Sequence, residues 1–252
     1  MKISVVKWLV LFVLMIGLFG CDSGPDRTAT VRFKTIIALK VDGNTREFSS
    51  VMQVKYTRIT KSLMGAGGGA TLWGEAVVID LGRRGKAYML VSTRSHNGNF
   101  SSSYHTAISQ SFGINKSLGS LKQKDIEAYR NLTGRVPMIN NDLYNNRPKT
   151  KYPMIVAFKD ENDPASLFVV DLKDMSPAFG RGVKFENVYL EITDEEITTG
   201  EVFKHLPWLK KKYKAGFETE PARTQTSKRI PRSERPIKWR INYNAFFAEE
   251  SR

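Results

Sequence analysis

VRFKTIIALK, residues 31–40, is the stretch that decides the fold class. Its odd-numbered positions carry Val, Phe, Thr, Ile and Leu, whereas Arg32, Lys34 and Lys40 lie at even-numbered positions. A period of two is typical of a β-strand with one buried face and one solvent-facing side. The stretch therefore predicts a strand that lies across a hydrophobic core.

The residues that follow repeat the same β pattern. Asp42-Gly43-Asn44 is a turn signal, and the alternation resumes over residues 50–57, so the two runs predict a β-hairpin. Further strand patterns, most of them bounded by turn residues, are TLWGEAVVIDL at 71–81, KAYMLVST at 86–93, Met154–Lys159, Leu167–Asp171 and VKFENVYLEIT at 183–193. The glycine-rich run 65–70 is predicted to be a loop between strands, because a strand pattern and not a helix follows it.

One segment has helical spacing. Ser120 and Gln123 match a capping box, and the apolar residues of 121–132 predict an amphipathic helix that ends at Gly134. We therefore predict a mainly β fold with a minor helical part, an antiparallel sandwich or half-barrel of about seven strands with one or two short helices. The globular domain is expected to span residues 31–203, and a basic C-terminal extension is expected over residues 204–252.

The first twenty residues have the pattern of an export signal. Lys2 and Lys7 form a short positive region, and it leads into thirteen uncharged, mostly apolar residues, WLVLFVLMIGLFG at 8–20. A helix that spans a bilayer needs about 20 apolar residues, so this run favours a signal peptide over residues 1–20. An uncleaved membrane anchor is the alternative.

The apolar run ends in Leu18-Phe19-Gly20-Cys21, which resembles the lipobox of bacterial lipoproteins. The resemblance implies cleavage after Gly20, attachment of a diacylglyceryl group to the Cys21 thiol, and acylation of the new amino group, for example with palmitate. Phe19 departs from the motif, which usually has a small residue there. Two or more acyl chains anchor a protein stably, so residues 21–30 are expected to be a lipidated cysteine and a tether. An ordinary signal peptide followed by an incidental cysteine is the alternative.

Asp22 refines the expected location. Asp directly after the lipidated cysteine resembles the signal that retains enteric-type lipoproteins on the inner membrane. We therefore expect the chain in the cell envelope, on the periplasmic face of that membrane.

A series of short motifs in the body of the chain resembles an uncharacterised family of exported proteobacterial proteins, over roughly residues 30–210. The motifs are Gly74-Glu75-Ala76-Val77, Asp80-Leu81-Gly82, Ala178-Phe179-Gly180 with Gly182-Val183, Glu191-Ile192-Thr193, Thr198-Thr199-Gly200 and Leu206-Pro207-Trp208-Leu209. The resemblance implies an exported domain, but it assigns no activity and no catalytic residue to the chain.

Net charge restricts the partners of an exported chain. The whole chain has a net charge of +14, and without Lys2 and Lys7 it has 37 basic and 25 acidic residues, a net charge of +12. Outside the cytoplasm this charge favours anionic lipid or an envelope protein over nucleic acid, so we expect no nucleic-acid partner. Between Lys204 and Arg240, twelve basic and three acidic residues give +9.

The basic run opens with four lysines that we call the tail lysines, Lys210, Lys211, Lys212 and Lys214. We predict that they bind an anionic surface beside the lipid anchor. A charge run is equally typical of a solvated tail that wraps its own domain, which is the alternative.

The sequence contains few residues or motifs that are typical of catalysis or of metal binding. A single cysteine excludes an intramolecular disulfide, and the spacing of His96, His105 and His205 matches no metal-binding motif, so we assign no metal site, no cofactor and no catalytic residue. We therefore predict a non-enzymatic module that binds or scaffolds a partner. The alternatives are an envelope hydrolase that uses the Ser- and His-containing loop 92–111, and a small-ligand carrier. A serine or a carboxylate within hydrogen-bond reach of His96 or His105 would favour the hydrolase, and a closed apolar cavity would favour the carrier.

Overall fold

A computed structural model describes residues 27–59, 67–94, 100–101, 104–114, 116, 118–139, 152–211, 241 and 243–248. The strands are, in chain order, β1 Thr28–Val41, β2 Asn44–Ile59, β3 Gly67–Glu75, β4 Val77–Asp80, β5 Lys86–Met89, β6 Thr93–Arg94, β7 Phe100–Ser101, β8 Arg135–Pro137, β9 Ile155–Phe158, β10 Leu167–Val169, β11 Val183–Ile192 and β12 Phe247–Ala248. The α-helices are α1 Tyr104–Ser111, α2 Gln123–Arg130, α3 Ser176–Phe179, α4 Glu201–His205 and α5 Tyr243–Phe246. Short 3-10 helices lie at Gly82–Arg84, Leu118–Ser120, Pro164–Ser166 and Pro207–Lys211.

Two antiparallel sheets pack face to face, which confirms the predicted mainly β sandwich. One sheet has the order β12-β3-β2-β1-β11-β8 and the other the order β10-β9-β5-β4, while β6 and β7 form a separate pair. The predicted hairpin is formed by β1 and β2, which pair from Thr28 opposite Thr57 to Val41 opposite Asn44. The chain turns at Asp42, whose φ of 49° lies in the left-handed region that Asp tolerates better than most residues.

The core between the sheets follows from the alternation in β1. Phe33, Ile37 and Leu39 are completely buried, whereas Arg32 and Lys40 are exposed on the other face. The facing side chains of the four-stranded sheet are Val77, Ile79, Ala87, Met89, Ile155 and Ala157. The helices α1 and α2 add Tyr104, Ile108, Ile126 and Tyr129 to the same core.

A second core lies on the other face of the four-stranded sheet, around Tyr88, Val156 and Phe158. The side chains that cover this face come from α4, the next 3-10 helix and the C-terminal residues, and they are Val202, Leu206, Leu209, Ile241, Tyr243, Phe246 and Phe247. The strand β12 also joins the edge of β3, where Phe247 lies opposite Glu75. Leu206, Leu209, Ile241 and residues 243–247, which the sequence places in the C-terminal extension, therefore pack against the domain.

The prediction of a glycine loop is wrong for residues 67–70, which belong to β3. A Cβ atom at Gly68 would lie 2.1 Å from the carbonyl oxygen of Leu118. The glycine therefore allows the 3-10 helix Leu118–Ser120 to approach the strand backbone, which a side chain would prevent.

The predicted helix of 121–132 is present but shorter, because α2 spans Gln123–Arg130. Its N-cap residue is Lys122 and not Ser120. The Asp125 carboxylate accepts a hydrogen bond from the backbone N–H of Lys122 at 2.7 Å. This is one of the two hydrogen bonds of a capping box, and it lies two residues further along the chain than the predicted pair Ser120 and Gln123.

Candidate functional site

The loop 92–111, the site of the hydrolase alternative, is described in part. Ser92 is buried, and its Oγ makes no hydrogen bond within the described residues. His105 lies in the first turn of α1, where its backbone carbonyl accepts a hydrogen bond from Tyr56 Oη at 2.9 Å. Ser92 and His105 are therefore not hydrogen-bonded to each other, and His96 lies outside the described residues.

A buried carboxylate lies at the end of β3, where Glu75 is 1% exposed. Its Oε2 accepts hydrogen bonds from the backbone N–H groups of Gly200 at 3.0 Å and Val202 at 3.4 Å, and its Oε1 accepts one from Glu201 at 2.7 Å. The first N–H groups of a helix have no partner within the helix itself. Glu75 therefore caps α4, whose N-cap residue is Gly200, from a strand that is remote in sequence.

Hydrogen bonds around Glu75 attach the segment before α4 to β2. The backbone N–H of Thr198 donates to the carbonyl oxygen of Val51 at 3.0 Å, and Thr198 Oγ1 accepts from the N–H of Val51 at 2.9 Å. Ser50 Oγ donates to the carbonyl oxygen of Glu75 at 2.9 Å. The sequence motifs at 74–77 and 198–200 therefore meet in the folded protein.

The environment of Glu75 suits a structural role. Burial raises the pKa of its carboxyl above the ordinary value, and the three backbone hydrogen bonds oppose that rise. A buried carboxyl with a raised pKa is a candidate acid or base. In this case both oxygens accept backbone N–H groups, so the carboxylate fixes α4, and with it the second core, to the edge of the six-stranded sheet.

A second polar cluster surrounds Glu161, in the turn between β9 and β10. Its Oε1 accepts a hydrogen bond from Tyr88 Oη at 2.6 Å, and its Oε2 lies 3.1 Å from Lys86 Nζ. Its carbonyl oxygen accepts a hydrogen bond from Trp208 Nε1 at 2.6 Å. Burial and the neighbouring carboxylate raise the pKa of Tyr88 well above its ordinary value, so the phenol is a neutral donor. The cluster joins the turn to the 3-10 helix Pro207–Lys211.

Among the predicted site residues, Lys210 has a described side chain. It is exposed, and its Nζ lies 5.2 Å from the ring centroid of Phe203. Lys211 ends the same 3-10 helix, whereas Lys212, Lys214 and Cys21 lie outside the described residues. The basic run therefore starts on the side of the domain that carries the Glu161 cluster.

The chain matches no protein-family model, no curated protein and no solved structure. In the described ranges, no three His, Cys, Asp or Glu side chains are grouped so that they could hold a metal ion. Of the helices seen in those ranges, none is long and apolar enough to cross a membrane. The function is therefore inferred from the residues of this chain itself.

Sequence patterns did not identify Glu75 or Glu161 as centres of hydrogen bonding. Glu75 is a charge in the middle of the mostly apolar run TLWGEAVVIDL, and a charge in a buried strand requires a partner, which is the available signal. Glu161 stands among Asp160, Asn162 and Asp163 in a turn, a pattern typical of solvent-exposed residues, so no comparable signal exists for it.

Proposed function

We propose that the chain is an envelope lipoprotein, attached to the periplasmic face of the inner membrane through acylated Cys21, and that its β-sandwich binds or scaffolds a partner. The observation that carries the proposal is the lipobox-like sequence Leu18-Phe19-Gly20-Cys21 at the end of a short apolar run. A further support is that β1 begins at Thr28, so that a short tether separates the sandwich from the anchor.

The hydrogen bonding of buried Glu75 and half-buried Glu161 supports a binding module. Both carboxylates accept hydrogen bonds from the domain itself, that of Glu75 from the start of α4 and that of Glu161 from Tyr88. The backbone carbonyl of Glu161 also accepts a hydrogen bond from Trp208 of the 3-10 helix Pro207–Lys211. A hydrolase would need an activated nucleophile, and Ser92 has no hydrogen bond to His105.

The tail lysines are the proposed contact with an anionic partner, which is either anionic lipid or the acidic surface of an envelope protein. Lys210 is exposed, as this role requires. Exposed charges of this kind steer association and contribute little to folding stability.

The anchor is tested by replacing Cys21 with alanine in the full-length chain. In bacteria supplied with a fatty-acid analogue, we expect the wild-type protein and a matched Ser23→Ala control to incorporate the analogue and to lose the signal segment. The Cys21→Ala variant should do neither. If Cys21→Ala is labelled and processed like the wild type, Cys21 is not the anchor and the proposal fails.

A further inference from the structure

Basic residues gather at the end of the sandwich where β1 begins. We call this the tether end, because the proposed tether enters the domain there. It is defined by six basic residues, Arg27, Arg58, Lys116, Lys122, Lys124 and Arg130. Lys116 belongs to it because the 3-10 helix two residues later lies against Gly68, which pairs with Arg58.

Hydrogen bonds place the arginines around the start of β1. The backbone N–H of Arg58 donates to the carbonyl oxygen of Arg27 at 2.8 Å. The guanidinium of Arg130, the last residue of α2, donates to the carbonyl oxygen of Thr28 at 2.5 and 3.1 Å. The end of α2 therefore meets the first residue of β1.

The helix α2 closes this end of the sandwich. Tyr129 stacks on Tyr56 of β2, with ring centroids 3.7 Å apart, and the 3-10 helix that precedes α2 lies against Gly68 of β3. The helix therefore crosses the sheet from β3 to β1, while Lys122 and Lys124 are exposed. A surface in front of the tether end would meet these lysines.

Among the described residues of the tether end, basic residues outnumber acidic ones. The acidic residues of α2 are Asp125, which is buried and bonded to the backbone of Lys122, and Glu127. Six basic and two acidic residues leave a net charge of +4. Glu195, which follows β11, is paired with Lys34 on the outer face of the six-stranded sheet.

We propose that the tether end docks on the anionic phospholipid headgroups of the membrane that holds the lipid anchor. The inference rests on the proposed acylation of Cys21. The six residues that follow Cys21, up to Arg27, reach at most about 22 Å when fully extended, whereas the 14 residues of β1 extend about 45 Å to the hairpin turn. The tether therefore keeps the tether end within reach of the headgroups, and docking directs the hairpin turn away from the bilayer.

The expected strength of docking is modest and depends on salt. One basic residue at an anionic membrane surface changes the ratio of docked to undocked protein by about fivefold. The anchor supplies a high local concentration of the domain at the surface, so several such contacts suffice. Salt weakens them, because the Debye length is about 8 Å at physiological ionic strength.

The tether end and the tail lysines are separate surfaces. Lys210 belongs to the 3-10 helix that contacts Glu161. Glu161 pairs with Lys86. Two residues before Lys86, the Arg84 guanidinium binds Asp42, which lies in the hairpin turn. Lys210 is therefore connected to the end of the sandwich opposite the tether. In the docked orientation Lys210 lies away from the anchoring membrane, which differs from the position beside the lipid anchor that the sequence predicts for the tail lysines.

The inference is tested with the full-length acylated protein reconstituted in vesicles of phosphatidylglycerol mixed with phosphatidylcholine, or of phosphatidylcholine alone. An amine-reactive reagent labels the lysines, and mass spectrometry follows each site. In the anionic vesicles at low salt, we expect Lys116, Lys122 and Lys124 to be labelled about fivefold more slowly than in neutral vesicles, with the difference lost at high salt. The exposed lysines Lys40 and Lys184, near the hairpin turn, should be labelled equally in both.

A pair of matched variants checks the cause of the protection. One combines Lys116→Gln, Lys122→Gln and Lys124→Gln, and the control combines Lys40→Gln, Lys173→Gln and Lys184→Gln, all of them exposed. Hydrogen exchange of the α2 backbone amides should slow in anionic vesicles for the wild type and the control, and stay unchanged for the first variant.

Two outcomes separate the inference from the proposed function. If Cys21 carries the fatty-acid label but the tether-end lysines react equally in both kinds of vesicle, the docking inference is overturned and the anchor stands. If Cys21 carries no label, the anchor fails, and the docking inference fails with it. Labelling of the wild-type protein decides the question even where a triple variant does not fold.

Discussion

The backbone N–H of Gly200 donates a hydrogen bond to the Glu75 carboxylate, 125 residues earlier in the chain, at 3.0 Å. The N–H groups of Glu201 and Val202 share the same carboxylate. The bond therefore couples the end of β3 to the start of α4, and through α4 it couples the second core to the six-stranded sheet. Removing the carboxylate would leave one buried and two part-buried N–H groups unpaired, which costs more than the net value of the hydrogen bonds themselves.

Glu75→Ala is expected to destabilise the domain by about 2–4 kcal/mol, because three backbone N–H groups lose their acceptor. Glu75→Gln should cost about half as much, since the amide keeps one acceptor oxygen. The measurement is urea-induced unfolding of the purified protein, with Glu196→Ala as the control, because Glu196 is an exposed carboxylate of the segment before α4. A Glu75→Ala variant as stable as the Glu196→Ala control would contradict the structural role.

The pH dependence of stability is expected to distinguish Glu75 from Glu47. Burial raises the pKa of Glu75, and the Arg135 guanidinium lowers the pKa of Glu47. For Glu75 the folded state binds the proton more tightly, so its contribution to stability decreases as the pH rises from the ordinary value of 4.5 through the raised folded value. For Glu47 the contribution is present above 4.5 and is lost as the pH falls through the lowered folded value.

Unfolding free energies of Glu75→Gln and Glu47→Gln, measured against pH between about 3 and 7, should therefore differ from the wild type with opposite slopes. The Glu47 effect should be the smaller one, because its side chain is 43% exposed and solvent screens the ion pair. Slopes of the same sign would show that the assigned environment of one of the two carboxyls is wrong.

The sequence predicts the strands better than the contacts between them. The alternation from Val31 to Leu39 is a local property, and it predicted both β1 and its buried face. The partners of Glu75 are backbone N–H groups, which have no sequence signature. Likewise, the sequence shows a group of apolar residues at 241–247 but does not show where they pack. They cover a face of β5 and β9 that exists only once the sheet has formed.

The glycine run shows the opposite case, in which a tertiary contact overrides a local preference. Glycine lowers the strand propensity of residues 67–69, which favours a loop. In the folded domain Gly68 lies in β3, because the backbone at Leu118 occupies the space that a side chain would need.

Gly68→Ala is therefore expected to destabilise the domain by about 1–3 kcal/mol, because its Cβ would lie 2.1 Å from the Leu118 carbonyl oxygen. Gly69→Ala is the matched control, since a Cβ there meets nothing within 4 Å. This second variant should be neutral or more stable by up to about 1 kcal/mol, as alanine reduces the entropy of the unfolded chain. Thermal or urea unfolding measures both, and equal effects of the two would show that the 3-10 helix does not lie against β3.

The tail lysines are expected to bind anionic membranes in a way that salt reverses. Full-length acylated protein held in phosphatidylcholine vesicles should cluster with added phosphatidylglycerol vesicles at low salt, and light scattering should report dispersal at high salt. Replacing Lys210, Lys211, Lys212 and Lys214 with glutamine should reduce clustering strongly, because each lysine contributes about fivefold to the binding ratio.

The control for the tail carries four glutamines at the exposed lysines Lys40, Lys159, Lys173 and Lys184, so both variants lose the same net charge. It should cluster nearly as well as the wild type if position, and not total charge, determines binding. Both variants should keep the unfolding midpoint of the wild type, because exposed charges contribute little to stability and the contact of Lys210 with Phe203 is at the surface. Equal clustering of the two variants would refute the role of the tail lysines, and unfolding of the tail variant would show that these lysines pack into the domain.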